Sequence, residues 1–92
     1  MKEKKSSPNT DEKVLTSSSE YHEIILFNDD FNTFQHVIEV LVKVCDHSSQ
    51  QAEQCAYIVH YSGKCAVKTG GLKKLSPICS KLLEYGLSAE IS

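Results

Sequence analysis

The amino-acid sequence predicts an α+β fold, a small two-layer α/β sandwich in the order β-α-α-β-α-β, with three helices laid on a three-stranded sheet. Three observations carry this expectation. A chain of 92 residues, 40% of them hydrophobic, makes one domain with a modest core. Apolar residues recur at three- and four-residue intervals in three separate stretches, the stripe of a helix with one buried face. Around them lie three short runs that are β-rich or alternate polar with apolar residues, the pattern of strands. No internal repeat is visible.

Residues 1–20 stand apart from this pattern. They hold Lys2, Lys4, Lys5 and Lys13 against Glu3, Asp11, Glu12 and Glu20, with Val14 and Leu15 as the one apolar pair. Such a composition cannot bury enough surface to offset the entropy of ordering it. The expectation is a disordered N-terminal tail over 1–20 and a folded core domain over 21–92.

The first strand is expected over Tyr21 to Phe27. Ile24 and Leu26 face one side, Ile25 and Phe27 the other. Both faces are apolar near its end, so it reads as a central strand covered at least in part on both sides. It runs straight into Asn28-Asp29-Asp30, a short polar connection. In an extended segment Asn28 and Asp30 point the same way and Asp29 the other. A carboxylate beside an amide oxygen at the edge of an apolar surface suits a cation that carries an apolar group. The plain alternative is turn chemistry that closes a strand.

The first helix begins after Asn32, which can cap it, with Gln35 at the capping-box position. Phe34, Val37, Ile38, Leu41 and Cys45 form its buried stripe, widened by Val40, Val42 and Val44. Asp46-His47-Ser48 breaks it. Ser48 caps the second helix with Gln51 three residues on, and Ala52, Cys55, Ala56 and Val59 form its inner face. Gly63 ends it as a left-handed cap. Lys64 to Lys68 alternates through Cys65 and Val67 as the second strand, and Thr69-Gly70-Gly71 reads as a turn. That turn lacks the Gly-Lys-Ser/Thr ending of a phosphate loop, which removes nucleotide binding. Leu72, Leu75, Ile78, Cys79 and Leu82 have helical spacing, interrupted by Pro77. Either one helix runs from about Leu72 and is disturbed at Pro77, or Ser76 caps a shorter helix with Pro77 at its first position. The pattern favours the longer helix. Gly86 stops it, and Leu87 to Ile91 alternates as the last strand.

Several functions are excluded by composition. A net charge of −2 and a pI near 6.0 argue against nucleic acid or an anionic membrane surface as partner. No apolar run approaches a membrane span, and Met1 to Ser19 has no apolar core of a signal peptide. Cys45, Cys55, Cys65 and Cys79 sit in apolar contexts without a C-x-x-C pair, so they read as reduced, buried residues of a cytoplasmic protein, with no metal and no cofactor. His60 falls at the end of the second helix, at the rim of the apolar face; His22, His36 and His47 read as surface. Catalysis finds no nucleophile in a strained elbow or beside a histidine. Adjacent aspartates on an extended segment also diverge, which removes a paired-carboxylate mechanism.

Three motifs in order resemble one family. Asn28-Asp29-Asp30 after an aliphatic strand, the Val37-Ile38-Glu39-Val40-Leu41 helix and Val59-His60-Tyr61-x-Gly63-Lys64 together are similar to ClpS, the adaptor that delivers N-degron proteins to the Clp protease. The likeness runs from Tyr21 to the end, and departs in the third-helix region, which is shorter by more than a turn than in proteobacterial members. It implies a ClpS-like fold and a monomeric, non-enzymatic adaptor. Its partners would be N-degron substrates and a Clp AAA+ unfoldase, of ClpA or ClpC type, of a ClpP protease. By the same resemblance Asn28, Asp30 and His60 match the positions that hold a substrate's N-terminal ammonium, and Asp29 a neighbour that helps with the peptide backbone. Ile25, Leu26, Asn32, Phe34, Val37, Ala56, Val59 and Leu87 match the wall of an apolar pocket. Many bacterial members carry methionine where this chain has Phe34 and again where it has Ala56, so Phe34 is expected to lean into the space left at Ala56. The rival reading is a structural interaction domain similar to the C-terminal domain of the ribosomal stalk protein, without N-degron binding.

Overall fold

A computed structural model of the chain describes residues 21–92; the tail expected over 1–20 lies outside them. The elements follow in the predicted order: β1 His22–Phe27, α1 Phe34–Cys45, α2 Ser49–Ser62, β2 Lys64–Gly70, α3 Leu72–Glu84 and β3 Ser88–Ile91. The strands form one antiparallel sheet in the order β2-β1-β3. The aliphatic run of β1 therefore sits in the middle, with both edges paired. Ile24 and Leu26 are fully buried on its helix side and join Leu41, Leu75, Leu82 and Cys45 in the core. Ile25 and Phe27 are only part-buried and lie outside that core, so the two-sided cover expected of β1 is incomplete.

β2 runs two residues further than its alternation predicts, because Thr69 and Gly70 pair with Glu23 and His22. The register shifts between Ile24 and Ile25, which face Lys68 and Ala66 and leave Val67 as an extra residue. A bulge of this kind bends the strand and re-aims its side chains. Val67 is buried in the core, and the next residue, Lys68, still reaches the helical layer to donate from Nζ to the Cys45 carbonyl at 2.9 Å. A cation at the open end of α1 also suits that helix's dipole.

The first cap is one residue later than expected. Thr33, not Asn32, caps α1, its hydroxyl accepting from the His36 N–H at 3.0 Å; Asn32 is held by other bonds described below. Ser48 caps α2 as predicted, accepting from the Gln51 N–H at 3.1 Å, and Gly63 closes it at φ 95°. α3 is one helix from Leu72 with Pro77 inside. Both Pro77 and Lys73, whose carbonyl loses its partner to the proline, are exposed, so solvent can serve the freed group.

The other histidines are not free surface groups. The left-handed turn at Asp46, φ 60°, swings His47 inward, where it is 6% exposed and donates from Nε2 to the Val67 carbonyl at 2.7 Å. His36 donates to the Tyr85 carbonyl at 2.9 Å, joining α1 to the end of α3, and His22 donates to the Ser92 carbonyl at 3.0 Å.

Candidate functional site

The site forms where β1 leaves the core. The Asn28 N–H donates to the Gly63 carbonyl at 2.9 Å, which ties the exit of β1 to the glycine that ends α2. The polar connection is thereby held beside the last turn of α2, where His60 stands. This link depends on local chemistry, because Gly63 takes a backbone conformation that other residues rarely adopt.

Asp29 builds the connection itself. Its Oδ1 accepts from the N–H groups of Phe31 and Asn32, each at 2.8 Å, and its Oδ2 accepts from the Asn32 side-chain amide at 2.7 Å. Asn32 Nδ2 donates onward to the Gly86 carbonyl at 2.9 Å, so the loop is fastened to the turn before β3. Burial works against the charge on Asp29, but the Asn32 and Phe31 donors and the nearby His36 outweigh it and hold the carboxyl below its usual range. A depressed carboxylate pKa adds stability that is full above its unfolded value and is lost as pH falls through the folded one. Asp29→Ala is expected to destabilise the fold by about 2 kcal/mol, on the scale of a hydrogen-bonded charge. Urea midpoints read this, and their fall below about pH 4 should be shallower in Asp29→Asn than in the parent.

Beside this loop lies a cavity of about 460 Å³. Asn28, Asp29, Asp30, Asn32 and His60 give it a polar, acidic lining, with no lysine or arginine among the residues that line it. Phe34, Val37, Ala56 and Val59 give it an apolar one. Asn28 and Asp30 are exposed, and their side chains hold no hydrogen-bond partner among the described residues. The two neighbouring aspartates thus differ in kind: Asp29 is spent on the loop, while Asp30 has no partner among the described residues. Leu26 and Leu87, both buried, line a small adjoining void of about 20 Å³ together with Val37 and Val59. Ile25 lines neither space; it alternates away from Ile24 and Leu26 onto the other face of the sheet.

Tyr57 and Tyr61 also line the cavity; Tyr61 belongs to the motif that carries the resemblance, but the sequence assigns neither tyrosine a place in the site. Each directly follows a residue that does have one, Ala56 and His60, and their spacing of four along a helix is the available signal. The Phe34 ring meets Tyr57 edge-on at 4.9 Å and 67°, so its aromatic contact is with the residue that follows Ala56, and Phe34 and Ala56 line the same cavity. The described residues show no clustering of three or more metal-ligating side chains. Burial pushes the Cys45 thiol up to about 11 and the Cys55 thiol up to about 12, which makes both poor nucleophiles.

Known proteins are similar to this chain in sequence and in fold. The family model described as ATP-dependent Clp protease adaptor protein ClpS matches residues 17–90. The ATP-dependent Clp protease adapter protein ClpS of Thermosynechococcus vestitus is 33% identical over 82 residues, 88% of this chain and 87% of that one. Its counterpart in Nostoc sp. is 35% identical over 82 residues, 88% and 84% of the two chains. The structure of Agrobacterium tumefaciens ClpS2 bound to L-phenylalaninamide superposes with a TM-score of 0.63, covering 80% of this chain and 99% of that one. At 20% identity this last likeness speaks for the fold.

Proposed function

The chain belongs to the ClpS family of ATP-dependent Clp protease adaptor proteins, and from that premise we propose that it captures proteins by a free, bulky N-terminal residue. It is an adaptor and not an enzyme. The ligand is the N-terminal Phe, Tyr, Trp or Leu of an N-degron substrate, which the adaptor then hands to a Clp unfoldase of ClpA or ClpC type. One observation carries this reading: the Asp30 carboxylate, without a partner among the described residues, and the Asn28 amide line the same cavity as Val37, Ala56 and Val59. A free amino terminus is a cation attached to one side chain. A cavity with an acid at one part of its wall and apolar groups at another suits that pair.

The magnitudes agree with a reversible hold. Each hydrogen bond to the ammonium contributes about 1.5–3 kcal/mol, and burying a Phe or Leu side chain about 1.5–3 kcal/mol more. Association and ordering oppose these by roughly 4–15 kcal/mol. The ligand can therefore be bound and released, as delivery requires. A purely structural interaction domain leaves an unpaired acid beside an apolar cavity without a role. Residues 1–20 have a composition unsuited to firm docking, and the family resemblance assigns such an extension to delivery rather than capture.

Fluorescence anisotropy with a Phe-initiated peptide, free and Nα-acetylated, tests the reading. The free peptide should bind and the acetylated one should not; equal binding contradicts it. The pH dependence follows from the ligand. An α-amino group titrates near 7.7–8.0, and a site that favours its charged form raises that value in the complex. Affinity should be full below the free value and fall as pH rises through it, by up to tenfold per unit. A flat profile between pH 7 and 10 would mean that the charge is not read.

A further inference from the structure

The cavity continues past the residues that a single N-terminal side chain needs. Tyr57 and Tyr61 stand one helical turn apart on the outer side of α2, 49% and 75% exposed. Their rings are nearly parallel, with centroids 5.9 Å apart and planes 11° apart. Phe34 meets Tyr57 at one end of this row, and at the other the His60 ring meets Tyr61 edge-on at 4.7 Å and 83°. Four rings therefore run from the apolar wall to the proposed ammonium site without a break. Both phenols are without a hydrogen-bond partner among the described residues, so the pair is not fixed there by polar contacts of its own.

We propose that Tyr57 and Tyr61 form a second subsite, which takes the side chain of the ligand's second residue and favours a flat aromatic one. This rests on the N-terminal reading above. A ligand whose ammonium sits by His60 has its second Cα about 3.8 Å from the first, and successive side chains of an extended peptide point opposite ways. With the first side chain directed to Ala56 and Val59, the second turns outward along the cavity rim, where Tyr61 directly follows His60. Parallel exposed rings offer offset or edge contacts to another ring, which add to plain apolar burial. An aliphatic side chain gains the burial without those contacts.

The test uses free-amino peptides that begin Phe-Gly, Phe-Leu and Phe-Trp and are otherwise identical, each also Nα-acetylated. Anisotropy competition on the full chain should rank them Phe-Trp, Phe-Leu, Phe-Gly, with Phe-Trp about threefold to tenfold tighter than Phe-Gly. In Tyr61→Ala the ratio of the two Kd values should fall to near one, whatever the absolute affinities become, and in Tyr61→Phe the ratio should persist. Three outcomes overturn the proposal: equal Kd values in the parent protein, a ratio that survives in Tyr61→Ala, or Phe-Leu matching Phe-Trp. In each of these the free peptides still outbind their acetylated forms, so the N-terminal reading stands. If acetylation makes no difference, or no free peptide binds, that reading fails and the second subsite falls with it.

Discussion

Asp30→Ala is expected to weaken binding of a Phe-initiated peptide about tenfold to a hundredfold, the loss of one hydrogen-bonded countercharge. The fold should hardly notice, because Asp30 is exposed and its side chain has no partner among the described residues; surface changes of this kind stay within about 0.5 kcal/mol. Its neighbour should behave in the opposite way. Asp29 accepts three hydrogen bonds within the loop, so its removal acts first on stability. Asp30→Asn keeps an acceptor and loses the charge, and should fall between the parent and Asp30→Ala. Peptide titrations beside urea melts separate the two residues. Equal binding by Asp30→Ala and the parent would remove the countercharge from the account.

Ala56→Met is expected to reduce affinity for Phe and Trp peptides by about tenfold or more. Ala56 is 3% exposed and lines the cavity that Phe34 also lines. Three further heavy atoms must enter space that the ligand's ring needs. Overfilling a packed site costs about 1–3 kcal/mol, and each 1.4 kcal/mol is tenfold in Kd. Moving Phe34 aside would give up its edge-on contact with Tyr57, a cost of about 0.5–1.5 kcal/mol. Phe34→Met in the parent background should loosen selectivity, since a flexible thioether replaces a ring held by its neighbour. Unchanged Phe and Trp binding in Ala56→Met would mean that the ligand's side chain lies elsewhere.

Elements with strong periodicity were legible in the sequence. The six elements and their order follow from residue spacing, and Ser48 and Gly63 mark the ends of α2 as expected. The misreadings arose where a tertiary bond overrode a local preference. Asn32 is as good a cap as Thr33, but Asp29 and Gly86 hold it, so the cap moved by one residue. His47 follows a polar residue and precedes a serine, and nothing local says that a left-handed Asp46 will turn it beneath β2. Thr69 and Gly70 read as turn residues until Glu23 and His22 pair with them.

The candidate site was legible mainly through the family resemblance, with residue type and spacing alone pointing only to Asn28, Asp30 and the placement of His60. Asn28, Asp30, His60, Phe34, Val37, Ala56 and Val59 line one cavity although 32 positions separate Asn28 from His60 in the chain; the bond between Asn28 and Gly63 closes that distance. Ile25 was carried over from the resemblance as pocket wall, yet its parity on the strand sets it on the face opposite Ile24 and Leu26, and it lines neither space. The place of Tyr57 and Tyr61 in the site was hidden, although Tyr61 stands in a quoted motif, because an exposed tyrosine carries no signal by itself. Their significance comes from the rings that meet them across α1 and along α2.

The most direct measurement is a ¹⁵N NMR titration of the full chain with a Phe-initiated peptide, repeated with its Nα-acetylated form. The free peptide should shift the amide signals of Asn28, Asp30, Ala56, Val59 and His60, and leave those of α3 beyond Pro77 in place. The acetylated peptide should shift none of them. The same shifts from both peptides, or shifts confined to residues outside the cavity, would contradict the claim that this cavity reads a free N-terminus.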